Sequence, residues 1–295
     1  MSANSKIEWC HHTFNPWWGC TKVSPACDHC YAESLAKRYG HGVWGKDAPR
    51  RFFGDKHWAE PLQWNREAES ARERRRVFCG SMCDVMEDRE DLRAPRVRLF
   101  NLIAETPHLD WLLLTKRPQN FRKFLPWGDT PGLERPNVWL MTTVESQEYV
   151  WRAERLVDIP AVVHGISYEP ALGPLDISRD LQDGINWVIA GGESGGGARP
   201  PHPDWFRQAR DQCVAANVPF FFKQNGEWLD IDNARDVIGE DDPRLCDSQR
   251  HRRRPALTAV HNLVQVRVGK KAAGALLDGK EWKQFPGERR ESGHG

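Results

Sequence analysis

The sequence predicts an α/β fold: a partial (β/α) TIM-like barrel of parallel strands that carries a charged C-terminal insertion. Three observations predict it. Short apolar runs without polar alternation recur at fairly even intervals, as strands buried on both faces do. Amphipathic stretches of helical period lie between them, which is the alternation of a parallel sheet. Nearly every apolar run ends in a charged or hydroxyl residue, and the carboxyl ends of parallel strands share the face on which such folds place their sites.

The elements follow in order. A weaker strand candidate lies near Phe14–Trp18. Six clearer ones are "RVFCGSM" from Arg76, "WLLLTKR" from Trp111, "NVWLMTTVE" from Asn137, "AVVHGISYEP" from Ala161, "INWVIAGGESG" from Ile185 and "VPFFFKQ" from Val218. After Cys30, residues Ala32, Leu35, Ala36 and Tyr39 share one helical face. Glu33 and Lys37 pair there at four residues' spacing, and Gly40 is a natural stop. "APRVRLFNLIAE" opens near Pro95, with Val97, Phe100, Ile103 and Ala104 on one face. "SQEYVWRAERLVD" repeats the pattern with Val150, Ala153 and Val157. "DWFRQARDQCVAAN" does so with Phe206, Ala209, Cys213 and Ala216, with Asp204 as the expected N-cap. The organisation expected is a barrel over residues 1–228, a charged insertion over 229–262 and a C-terminal extension over 263–295. "LDIDNARDVIGEDDP" and "SQRHRRRP" give the insertion its charge, "VQVRVG" reads as a last strand, and residues beyond Pro286 as a frayed tail.

Composition narrows the class. The 42 Lys and Arg nearly cancel the 41 Asp and Glu, so net charge by itself points to neither nucleic acid nor membrane. The opening residues lack a basic-then-apolar signal pattern, and no run approaches ~18 apolar residues, so a soluble, cytoplasmic protein without a membrane partner is expected. Eight cysteines are too few for a disulfide scaffold in so long a chain. Cys20, Cys27 and Cys30 cluster tightly, which favours a metal or redox site. Cys79 and Cys83 read as small core residues.

The cluster sits in "GCTKVSPACDHCYAE", with Cys30 at the N-terminal end of the following helix, where free N–H groups favour a thiolate. A structural zinc takes four closed ligands. The motif supplies three, and Cys10, His11, His12 and His29 have no characteristic spacing as a fourth. Three thiolates on a [4Fe–4S] cluster leave one iron open, where S-adenosylmethionine can bind and be cleaved to a carbon radical.

A C-x₆-C-x₂-C loop leading into a helix, within repeated strand–helix units, resembles the radical S-adenosylmethionine superfamily. More closely, the chain resembles an uncharacterised family of phage and bacterial proteins. The shared motifs are "IEW", "NPWWGCTKVSPACDHCYAE", "LLTKRP", "SYEPALGP", "VIAGGESGGGARP", "VPFFFKQNGEW" and "GKKAAGALLDGKEWKQFP". The superfamily's usual spacing is C-x₃-C-x₂-C with an aromatic before the last cysteine; here the first gap is six residues and His29 holds the aromatic place.

The resemblance implies roles for the strand ends. Cys20, Cys27 and Cys30 would hold the iron–sulfur cluster. Ser81, Asp84, Glu145, Glu169, Gly191 and Gly192, with His29, would meet S-adenosylmethionine. Lys116, Arg117, Glu193 and Lys223 would face the substrate, and a reductant such as ferredoxin or flavodoxin would supply the electron. The runs containing Arg74, Arg75, Arg76 and Arg252, Arg253, Arg254 make nucleic acid a candidate partner, for modification or repair. Two other readings stay open: a zinc-stapled nucleic-acid-binding protein without catalysis, and a hydrolytic barrel enzyme with structural zinc.

Overall fold

The computed structural model describes residues 5–128, 130, 132, 135–245, 257–260 and 263–287. Seven parallel strands form one sheet in sequence order: β1 (His12–Phe14), β2 (Arg75–Cys79), β3 (Leu109–Thr115), β4 (Val138–Thr143), β5 (Val163–Tyr168), β6 (Trp187–Gly191) and β7 (Phe220–Gln224). Each strand pairs only with its sequence neighbours, and helices fill the connections, which makes the sheet a partial (β/α) barrel. Between the edges, Lys283 pairs with Glu8 and also donates to the Phe222 carbonyl. The segment around Lys283 thus lies antiparallel along β7.

The strands are buried on both faces, as their unbroken apolar runs require. One face packs Val77, Leu113, Leu140, Ile166 and Val188 against the helices. The other packs Phe78, Leu112, Met141, Ile189 and Phe221 with Trp9 and Trp187. Each such side chain contributes about 1.5–3 kcal/mol on burial.

Several expectations are refined. The candidate at Phe14–Trp18 splits: β1 joins the main sheet, while Trp17–Trp18 pairs antiparallel with Arg51–Phe52. "VQVRVG" is not a barrel strand. Leu263–Arg267 lies between Trp228–Asp230 and Leu257–Val260 in a separate antiparallel sheet, which packs with the helix Ile231–Ile238 around Leu229, Ala234 and Val266. The helix Pro203–Ala215 is capped by His202, whose ring accepts from the Asp204 N–H, because Pro203 already occupies the first turn. In the helix Arg93–Glu105, Val97 and Ala104 are exposed, and Arg96, Leu99, Phe100 and Ile103 face inward. Arg96 turns that face by donating to the Val85 carbonyl at 2.8 Å and stacking 3.8 Å over Phe124. Tyr39 caps the helix Tyr31–Arg38 from an exposed position instead of packing with Ala32 and Ala36. Among the described residues, no helix is long and apolar enough to cross a membrane.

Candidate active site

The cysteine loop follows β1 and folds over the carboxyl ends of the strands, enclosing a cavity of about 450 Å³, a size typical of small-molecule sites. Cys20, Cys27 and Cys30 all line it, each half-buried. Trp9, Phe78 and Leu114 form an apolar floor. The rim carries Ser81, Asp84, Lys116, Glu169, Glu193 and Lys223, all anticipated from strand ends.

The loop is pinned from several sides. Gly19, at φ +115°, donates to the Met82 carbonyl, and a side chain there would collide with Val43 and Arg50. Buried Arg50 donates to the Val43, Gly45 and Ala48 carbonyls and to Thr21 Oγ1, while Glu87 neutralises it at 2.8 Å. Arg117 donates to the Thr21 carbonyl and to Asp84, both at 2.7 Å, and its Nη1 lies 3.8 Å from Cys20 Sγ. On the far side, Glu193 accepts from Arg199 and meets the His29 ring at 3.2 Å. Arg199 also reaches the Pro25 carbonyl at 2.9 Å and Asp28 at 3.5 Å. The two Arg–carboxylate units fasten opposite ends of the cysteine loop.

These contacts redefine several expected roles. Burial opposes the charge on Arg117, but Asp84 overrides it and raises the guanidinium's pKa. Arg117 lines the cavity and at the same time pins the loop through the Thr21 carbonyl and Asp84. Asp84 is equally committed: it accepts from Thr115 Oγ1, the Met86 N–H, the Lys116 N–H and Arg117. Burial also opposes ionisation of Glu193, yet Arg199 and His29 hold its carboxyl below the usual range. Glu145 does not line the cavity; it is buried in an ion pair with Arg152 at 2.8 Å. Glu169 and Lys223 do meet at the rim, 2.5 Å apart. Gly191 lies between their strands, with Glu169 3.5 Å from where its side chain would begin. Gly192 lines the wall, and a side chain there would strike the Asn225 carbonyl.

Sequence reasoning missed Asn15, whose amide holds Ser81 Oγ at 2.9 Å and the Met82 N–H at 2.7 Å. It also missed Tyr31, whose hydroxyl donates to the Ser81 carbonyl. Its signal was an aromatic directly after the last cysteine. Lys6, Lys22 and Lys270 also reach the cavity, and scattered lysines carry no sequence pattern. The first arginine run is elsewhere, at the amino end of β2. There Arg74 pairs with Asp110 at 2.7 Å, Arg75 with Glu67 at 2.9 Å, and Arg76 stacks 3.8 Å from the Phe285 ring centre. Arg252, Arg253 and Arg254 lie outside the described residues.

Cys20, Cys27 and Cys30 offer soft thiol donors of the kind that iron–sulfur clusters and zinc take. They open onto a single cavity that the buried Cys83 also lines. Among the described residues, no group of three or more His, Cys, Asp or Glu side chains is placed to hold a metal ion. Burial pushes the Cys20 thiol up to about 12, with Asp84 adding to the effect and Arg117 opposing it, so binding as a thiolate would release a proton.

A seven-stranded partial barrel with its cavity at the strand ends defines the class of protein. The chain belongs to the family described as "Protein of unknown function (DUF5131)", whose model matches residues 4–286. No curated protein matches it. Similar solved structures include a double variant of spore photoproduct lyase with bound AdoMet and dinucleoside spore photoproduct, at 11% identity and TM-score 0.45 over 90% of this chain and 70% of that one. Another is spore photoproduct lyase complexed with dinucleoside spore photoproduct, at 12% identity and TM-score 0.42 over 64% of this chain and 57% of that one. A cysteine-to-serine variant of the same lyase matches at 11% identity and TM-score 0.45, over 72% and 74%.

Proposed function

We propose that this chain is a radical S-adenosylmethionine enzyme acting on nucleic acid, in modification or repair. One observation carries the reading: the three half-buried thiols of one short loop, Cys20, Cys27 and Cys30, open onto one cavity at the carboxyl ends of a parallel sheet, where Cys83 is the buried fourth. Cys20, Cys27 and Cys30 would hold a [4Fe–4S] cluster. Such a cluster with S-adenosylmethionine on its open iron supplies a carbon-centred radical when an outside reductant, such as ferredoxin or flavodoxin, delivers an electron.

The protein's own residues do the rest. Glu169 and Lys223, paired at 2.5 Å on the rim, offer a carboxylate and an ammonium to the amino and carboxylate groups of S-adenosylmethionine. Arg117 and Arg199 hold the thiol loop in register and leave Lys116 free at the rim. The apolar floor of Trp9, Phe78 and Leu114 keeps water from the reacting centre. Lysines at positions 6, 116 and 270 ring the cavity and favour a polyanionic substrate, while Lys22 is paired with Glu33 at 3.1 Å.

Anaerobic purification followed by iron, sulfide and zinc analysis tests the reading. Wild type and Cys213→Ala should carry iron and acid-labile sulfide, and single Cys20→Ala, Cys27→Ala or Cys30→Ala variants should lose them. Stoichiometric zinc without iron, even after reconstitution, would sink it. Reduced protein should also cleave S-adenosylmethionine slowly to 5′-deoxyadenosine.

A further inference from the structure

A second cavity of about 400 Å³ lies beside the first and shares Thr21, Val23, Lys116 and Arg117 with it. Its far wall carries Tyr149 and Trp151, the latter 38% exposed. These rings rest on Arg152, whose guanidinium lies 4.5 Å from the Tyr149 ring centre and 5.7 Å from that of Trp151. Arg152 is itself immobilised, donating to Glu145 at 2.8 Å and to the Thr143 carbonyl at 3.0 Å. Glu145 thus supports an aromatic platform, a role its strand-end position did not reveal.

The charges around this cavity do not cancel evenly. Glu87 is consumed by Arg50, Asp88 by Lys123 at 2.6 Å, and Arg89 by Asp91 at 2.7 Å. Lys46 and Lys116 line the cavity and have no ion-pair partner among the described residues. A preset aromatic surface beside free ammonium groups is what a base and its phosphates need together.

Building on the proposed nucleic-acid substrate, we infer that this second cavity binds a neighbouring nucleotide of a single-stranded or locally unpaired strand. Its base stacks on Trp151 and Tyr149, and the adjoining phosphates meet Lys46 and Lys116. The shared wall at Lys116 makes the strand continuous with the cysteine cavity. A duplex hides its base faces and cannot use the platform. An acidic protein segment could satisfy the lysines but has no base to stack.

The test is fluorescence anisotropy on the full chain with labelled oligothymidylate of about twelve residues, the matching duplex, and polyglutamate as competitor. Oligothymidylate should bind more tightly than the duplex and resist polyglutamate. Trp151→Ala should weaken it about tenfold with no change in salt dependence. Lys46→Ala should lower the log–log salt slope by about 0.7, the value for one single-strand phosphate contact. Arg74→Ala and Arg75→Ala should change neither. Wild-type binding by Trp151→Ala, tighter duplex binding, or equal displacement by polyglutamate would each overturn the inference; the last would identify an acidic protein surface. Iron and sulfide on the same preparations separate the two readings. Iron retained with the stacking effect absent rejects this subsite alone, and stacking retained without iron rejects the cluster alone.

Discussion

The two ends of the barrel sheet use the same residue types to opposite effect. At the amino ends, charges pair off with an exposed arginine or glutamate in each pair: Arg74, itself exposed, with buried Asp110, and Arg75 with exposed Glu67. At the carboxyl ends, arginines reach across the chain, with Arg50 and Arg117 buried and Arg199 half-buried. Arg50 joins Thr21 to Glu87, Arg117 joins Thr21 to Asp84, and Arg199 joins Glu193 to Pro25. The difference teaches where the fold spends its charged groups on precision. A surface pair loses little when broken, whereas a buried one leaves a charge without solvent or partner.

Four measurements break or sharpen that contrast. The largest effect is expected at Arg50→Ala and Arg117→Ala, each stranding a buried carboxylate at a cost of about 3–5 kcal/mol in denaturant unfolding. Arg75→Ala, which breaks a solvent-exposed pair, should cost under about 1 kcal/mol. Equal losses at both ends would erase the distinction. The second effect is local. Arg199→Ala should speed amide exchange about ten- to a hundredfold in the cysteine loop, as loss of charge-assisted hydrogen bonds implies, while β3 and β4 keep their protection. A uniform change would mean that Arg199 stabilises the whole fold.

The third separates two glutamates with the same strand-end position. Glu145→Gln should lower stability by about 1–3 kcal/mol and leave S-adenosylmethionine affinity alone, since it supports Arg152. Glu169→Gln should do the reverse, with Kd rising about tenfold by calorimetry. The smallest effect concerns Asp180, on the helix Ser178–Asp183 that precedes β6. Burial, with Glu154 and Asp183 nearby, pushes its carboxyl up to about 6. A folded pKa above the unfolded value near 4 means that ionisation costs the fold, so stability should fall as pH rises from about 4 to about 6. Asp180→Asn should remove that slope and add about 1–2 kcal/mol at pH 7. An unchanged slope would show Asp180 to be solvated.

The sequence by itself determined the parallel strands, the helix after Cys30 and the gathering of polar groups at one end. These follow from local regularities: unbroken apolar runs in strands buried on both faces, a 3.6-residue period in helices, and a shared direction of strand ends. It also marked the three thiols, because their spacing is short enough to be read along the chain. Tertiary structure alone decided which polar residue is free and which is consumed. Glu145 and Glu169 both end strands, yet one is covered by Arg152 and the other looks into the cavity beside Lys223. Arg117 and Lys116 are adjacent and line the same two cavities, yet one is buried in an ion pair with Asp84 while the other has no carboxylate partner among the described residues. Asn15 and Arg199 matter because of partners 66 and 174 residues away. Ionisation, burial and hydrogen bonding depend on what lies across a gap of a few ångströms, and that is fixed by how distant segments pack, not by the order in which residues are written.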